Sequence, residues 1–139
     1  MKNIKTRSNC LISCSLDIVG DKWSLLIIRD LIFSDRCTYG DFLKSDEKIA
    51  TNILASRLKM LEENGIIIKS EHPESKAKVL YSLSEKGINL LPIIIEVNLW
   101  AEKYFDVAED YKPLLKEIKK DKEAFIKNYT KILKKKFNL

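Results

Sequence analysis

Residues 48–65 read KIATNILASRLKMLEENG and are followed at once by two further runs, IIIKSE at 66–71 and KVLYSL at 78–83. In the first piece Ile49, Ile53, Leu54, Leu58 and Leu61 recur at helical spacing, which leaves Thr51, Asn52, Ser56, Arg57 and Lys59 on the opposite face. Gly65 supplies a helix stop. The two later runs are short and rich in β-branched or aromatic residues, as strands are. Between them, residues 72–78 (HPESKAK) form a polar loop that places Lys76 and Lys78 at a hairpin tip. A polar-faced helix beside a basic hairpin predicts a mainly α fold with a small β-hairpin wing, a winged helix-turn-helix. Such a fold presents one helix to the DNA major groove.

Upstream, the pattern predicts a loose arm over 1–9, a short helix from Cys10 to Val19 closed by Gly20, and an intensely apolar helix over 22–33. The last of these is hydrophobic nearly all round and belongs at the centre of a core. A third helix spans 38–44, with Thr38 as N-cap and Tyr39, Phe42 and Leu43 facing inward. The polar residues 45–48 then make the turn of the helix-turn-helix.

Downstream, Ser84 opens what reads as one long helix through Phe105, with Pro92 as a potential kink. Its apolar stripe exceeds what a small core absorbs, so Leu91, Ile94, Ile95, Trp100 and Tyr104 are expected to meet a second subunit. The aromatic group Trp100, Tyr104 and Phe105 also suits the wall of an effector pocket, though such a stripe more commonly forms a dimer core. Residues 111–137 repeat the helical pattern with lysines opposite, either a solvated face or a grip on flanking DNA or a membrane surface. The expected division is an arm at 1–9, a winged-helix domain with its dimerisation helix at 10–105, and a helical extension at 106–139.

The 139 residues carry a net charge of +5, but residues 112–139 alone hold ten lysines against three acids. The remaining 111 residues hold 15 basic against 17 acidic side chains. A DNA-binding body of that balance must gather its positive charge on one face, because phosphate contacts supply much of the affinity. No run approaches the roughly 18 apolar residues of a membrane span. The start is too polar for a secretory signal, and three cysteines suit reduced thiols. A cytoplasmic protein without membrane association is expected. With one histidine, four glycines and no nucleophile, phosphate-loop or metal-ligand spacing, the chain predicts no enzyme, no catalytic residue, no metal and no cofactor.

The run Leu16-Asp17-Ile18-Val19-Gly20-Asp21-Lys22-Trp23, with Leu25 to Leu31 after it, resembles the opening of the HxlR-type transcriptional regulators. Residues 57–65 (RLKMLEENG) are similar to that family's recognition-helix end, and residues 81–87 (YSLSEKG) to its second wing strand and the turn beyond. Differences lie at Leu11, where proline is common, at Asp21, where a second glycine is usual, and in the wing at Ser75-Lys76-Ala77. The resemblance implies a homodimer that binds pseudo-palindromic promoter DNA, often to repress.

On this reading Thr51, Asn52, Ser56, Arg57 and Lys59 meet double-stranded DNA, and Lys76 and Lys78 meet its backbone. Arginine pairs bidentately with guanine and asparagine with adenine, each contributing about 1–3 kcal/mol of discrimination. A solvated helix face offers the same residue types, and Thr51 alone suits an N-cap. Cys10 matches the cysteine that some members of the family use for sensing an electrophile or oxidant; a thiol at a helix start is also well placed for reactivity. Cys10, Cys14 and Cys37 equally suit small buried hydrophobes. His72, followed by Pro73, reads as a turn residue. The rival from another class is a winged-helix module that binds protein and reads no DNA sequence.

Overall fold

A computed structural model describes residues 7–139, so six residues of the expected arm lie outside the described part. The chain divides into two compact units that meet between Ser82 and Leu83. The first contains helices α1 (Leu11–Val19), α2 (Ser24–Phe33), α3 (Tyr39–Leu43) and α4 (Thr51–Glu63), then strands β1 (Ile67–His72) and β2 (Ser75–Leu83) paired as a hairpin. The second contains α5 (Glu85–Ile88), α6 (Leu91–Glu102), a 3-10 turn (Glu109–Tyr111), α7 (Lys112–Lys120) and α8 (Lys122–Lys136). The expected fold class, mainly helical with a two-stranded wing, is the observed one.

Gly20 ends α1 with its N–H on the Leu16 carbonyl at 2.9 Å, and the position takes glycine because a Cβ there would sit 2.3 Å from that oxygen. The helix expected from Lys22 begins instead at Ser24. The cause is Asp21, whose carboxylate accepts from the backbone N–H groups of Trp23 and Ser24 and from the Ser24 hydroxyl at 2.5 Å. A cap residue stands outside the helix it starts. Ile27, Ile28, Leu31 and Ile32 of α2 are buried, as is Asp30, which pairs with Arg29 at 2.9 Å and Arg36 at 3.5 Å.

Thr38 caps α3 through a capping box. Its hydroxyl accepts from the Asp41 N–H, and the Asp41 carboxylate accepts from the Thr38 N–H, both at 3.1 Å. Helix α4 starts three residues later than expected, at Thr51, with Ala50 as its N-cap. Lys48 takes a positive φ of 54°, which keeps the chain out of the helix until Thr51. Gly65, at φ 71°, closes α4, and the Ile66 N–H returns to the Leu61 carbonyl at 2.9 Å, a left-handed C-cap.

Leu54, Leu58 and Leu61 carry the buried face of α4; Ile53, expected to face inward, is 36 % exposed. Its position, one step around the helix from the leucines, puts it at the edge of the apolar stripe. The wing is tighter than expected. Pro73 and Glu74 alone make the turn, so Lys76 and Lys78 stand within β2 and not on the tip. An isolated bridge joins Thr38 to Leu80, and the Tyr81 N–H bonds the Cys37 carbonyl at 2.7 Å, fixing the wing to the start of α3.

The long helix expected from Ser84 is two helices. Ser84 caps the four-residue α5 through the Gly87 N–H, and Pro92 stands in the first turn of α6. Proline lacks the N–H that a continuing helix would use, whereas a first turn leaves that group unpaired anyway. The C-terminal pattern also splits, at Asp121, which is extended and accepts from the Ala124 N–H to start α8. Helices α7 and α8 pack against α6, and α8 also against α5, with Leu115, Ile118 and Leu133 buried. Lys119–Glu102, Lys122–Glu96 and Lys134–Glu85 pair across these contacts.

Candidate nucleic-acid interface

The exposed face of α4 is a row. Leu54, Leu58 and Leu61 point one way, and helical geometry puts Asn52, Ser56 and Lys59 on the opposite side, all exposed. Thr51 is exposed at the first position of α4 but lies off this row, toward the side of Leu58, and its carbonyl accepts a hydrogen bond from the Tyr39 hydroxyl at 2.9 Å. That bond ties α3 to α4 and sets the angle between the two helices of the motif. The fork of Arg29 to Glu47, at 2.9 and 3.0 Å, holds the intervening turn on α2.

Arg57 does not stand in the outward row. It lies on the flank of α4, half-buried, where its guanidinium donates to the Ser56 hydroxyl at 3.2 Å and meets the Asp21 carboxylate at 3.5 Å. Burial alone would raise the Asp21 pKa, but hydrogen bonds from Ser24 and from the Trp23 and Ser24 backbone, with the Arg57 charge, hold it below the ordinary carboxylate value. Asp21 is therefore charged at neutral pH.

Lys76 and Lys78 are exposed on β2. Lys78 also borders a cleft of about 400 Å³ between α3 and the wing, with Lys44 and Tyr39 on its other side. Lys44 was not singled out from sequence. Nothing in the sequence marks the lysine that follows this five-residue helix, and only the return of β2 alongside α3 brings Lys44 and Lys78 to one cleft. The two lysines line this cleft together with the Asp41 carboxylate.

Cys10 is exposed and caps α1 without a side-chain bond; Cys14 donates to the Ser8 carbonyl at 3.2 Å, and Cys37 is half-buried. Helix α1 buries no residue, and Leu11, Ile12 and Leu16 lie open. Of the five residues expected at a subunit interface, Leu91, Ile94 and Ile95 are buried within the chain itself. Trp100 and Tyr104 are 60 % and 68 % exposed and share an outward stripe with Ile93 and Val97. Helix α6 is apolar on both faces, which the sequence pattern alone does not separate into inner and outer halves. Among the described residues no three potential ligands gather as a metal site, and no helix is long and apolar enough to cross a membrane.

The family model of the HxlR-like helix-turn-helix matches residues 18–109. The HTH-type transcriptional regulator YdeP of Bacillus subtilis is 35% identical over 97 residues, 70% of this chain and 75% of its own. The solved structure of PA1607 superposes with a TM-score of 0.65 at 37% identity, covering 74% of this chain and 70% of that one. The regulator YodB from B. subtilis in its reduced form gives a TM-score of 0.57 at 28% identity, over 73% of this chain and all of YodB. YodB is also known in diamide-treated and quinone-bound forms. With the matched region spanning α2, the helix-turn-helix, the wing and α6, the chain belongs to the HxlR-like helix-turn-helix family of transcriptional regulators, proteins that bind DNA and are not enzymes.

Proposed function

We propose that the chain works as a cytoplasmic homodimer that represses transcription by binding pseudo-palindromic promoter DNA. Each subunit inserts α4 into a major groove, with Thr51, Asn52, Ser56, Arg57 and Lys59 toward the bases and adjoining phosphates. Lys76, Lys78 and Lys44 take the backbone. Half-sites then lie about one helical turn, or a multiple, apart. The observation that carries this reading is the α4 row Asn52, Ser56, Lys59, wholly exposed on the side opposite Leu54, Leu58 and Leu61. The regulator proper corresponds to residues 10–105, and residues 106–139 add to it.

Subunits pair through the outward α6 stripe of Ile93, Val97, Trp100 and Tyr104 together with the open apolar side of α1. The quinone and diamide forms of YodB support a thiol or small-electrophile switch here as well, with exposed Cys10 at the start of α1 as its sensor. Modification there would alter the packing of α1 and so favour one dimer geometry over another. An effector shifts such a balance only by binding the two states unequally.

The test is fluorescence anisotropy on duplexes selected by the protein from a random pool, in the reduced protein and after diamide. Selective binding with a steep salt dependence, weakened in Asn52→Ala, supports the reading; Cys10→Ser should abolish the oxidant response. A chain that enriches no duplex would sink it and bring forward the rival of a protein-binding winged helix. The near-neutral balance of residues 1–111 favours that rival more than any other observation.

A further inference from the structure

Residues 112–139, beyond the stretch that the family model matches, hold ten lysines against three acids. Four of those lysines are engaged within the second unit: Lys112 pairs with Glu109, Lys119 with Glu102, Lys122 with Glu96 and Lys134 with Glu85. Lys127, Lys131 and Lys135 are exposed on α8, and none of them pairs with an acid among the described residues. They recur every four residues and so form one row, about 12 Å long with about 6 Å between members. Leu133, fully buried, marks the inner side of α8, and Lys131 lies roughly 160° around the helix from it. Glu123, one turn ahead of Lys127, stands at the N-terminal end of the row, where a helix start favours a negative charge.

Like charges at this spacing oppose helix formation, and the row packs on nothing that would compensate. It gains most from an anion outside the chain. A helix that lies in a membrane surface needs its apolar side open to lipid. Helix α8 has that side turned onto α5 and α6, with Leu133 sealed between them. Duplex DNA offers about one negative charge per 1.7 Å of its axis, and a lysine meets a phosphate without a fixed pairing geometry. The family binds DNA, yet residues 1–111 hold 15 basic against 17 acidic side chains and lack the surplus that phosphate affinity draws on. We infer that Lys127, Lys131 and Lys135 form a second, sequence-independent contact of this regulator with the phosphates of duplex DNA. This rests on the reading that the chain binds DNA, and not on which bases α4 reads.

Three proteins decide it by anisotropy: wild type, the triple variant Lys127→Gln, Lys131→Gln, Lys135→Gln, and a triple variant with arginine at the same positions. Each is titrated at several salt concentrations onto a duplex that the wild type enriches from a random pool and onto a scrambled duplex of the same length and composition. The glutamine variant should lose about 10-fold or more in affinity for both duplexes by the same factor, with the slope of log affinity against log salt shallower by about 2–3 per subunit. The ratio between the two duplexes should hold. The arginine variant should keep the wild-type slope, because the charge is what phosphates meet. Thermal unfolding should be unchanged in both variants, since the row is exposed.

A wild-type slope in the glutamine variant overturns the inference, as does a loss confined to the selected duplex or one that the arginine variant shares. Should the glutamine variant fail to fold, Lys131→Gln alone carries the same comparison with about one third of the slope change. A wild type that enriches no duplex, yet binds scrambled DNA with a slope that depends on the row, overturns base reading by α4 and supports this contact. A selective wild type whose slope ignores the row overturns this contact alone.

Discussion

Arg29 and Glu47 form a two-point ion pair across the helix-turn-helix, with the guanidinium donating at 3.0 and 2.9 Å to the two carboxylate oxygens. The same guanidinium donates to Asp30, whose side chain is 5% exposed. One arginine thus compensates a buried charge on α2 and fixes the turn that orients α4. Arg29→Ala should destabilise the fold by about 2–3 kcal/mol, below the roughly 3–5 kcal/mol of a fully buried pair because Arg36 still faces Asp30. Glu47→Ala should cost under about 1 kcal/mol, since its carboxylate is screened by solvent. Urea melts of the two variants check the order; equal losses would mean that the turn, and not Asp30, is what Arg29 supports.

Lys48 sits at φ 54° in that turn. The left-handed conformation costs a residue with a Cβ about 1–2 kcal/mol, and glycine avoids most of this while losing roughly 0.5–1 kcal/mol to unfolded-state freedom. Lys48→Gly should therefore raise stability by up to about 1 kcal/mol, whereas Lys48→Val should lower it by more than about 1 kcal/mol. Thermal unfolding of both variants checks the sign. A destabilised Lys48→Gly would show that the lysine side chain contributes there.

Asp41 answers to pH. Burial raises its pKa, but the Thr38 side chain and the Cys37 and Thr38 N–H groups bond its charged form and hold it below the ordinary value. A carboxylate with a depressed folded pKa stabilises the fold above its unfolded value near pH 4 and loses that contribution as pH falls through the folded value. Asp41→Ala should cost about 1 kcal/mol at pH 7, with the difference from wild type shrinking toward pH 2–3. Denaturant titrations at the two pH values measure it; a pH-independent difference would rule out the charge as the source.

The sequence made α4 and the wing legible because apolar period and turn residues agree there: three leucines, Gly65 and two β-rich runs point to one answer. It misled where a side chain, and not a pattern, sets a boundary. Asp21 delays α2, the Lys48 turn delays α4, and Pro92 begins a helix instead of bending one. The role of Arg57 was half legible. Its chemistry suits DNA, but its partner Asp21 lies 36 positions away and no local spacing joins the two. Lys44 became visible only once β2 lay beside α3.

Helix α6 has a buried and an exposed apolar face that its sequence blends. Ile94 is 5 % exposed and Ile95 fully buried, while Ile93, Val97 and Trp100 are 45, 51 and 60 % exposed on the other side. The Trp100 ring lies 5.3 Å from Tyr104 and 6.4 Å from Phe105, an aromatic group facing solvent in the single chain. An exposed apolar stripe of this kind marks a surface for association. Trp100→Asp should accordingly leave a cooperatively folded single chain, with the mass of one subunit by light scattering and DNA affinity lost at subunit concentrations that saturate the wild type. Ile94→Asp should instead abolish cooperative unfolding, because an unpaired charge enters a packed core. A Trp100→Asp protein that retains the wild-type mass would overturn the proposed pairing through this stripe.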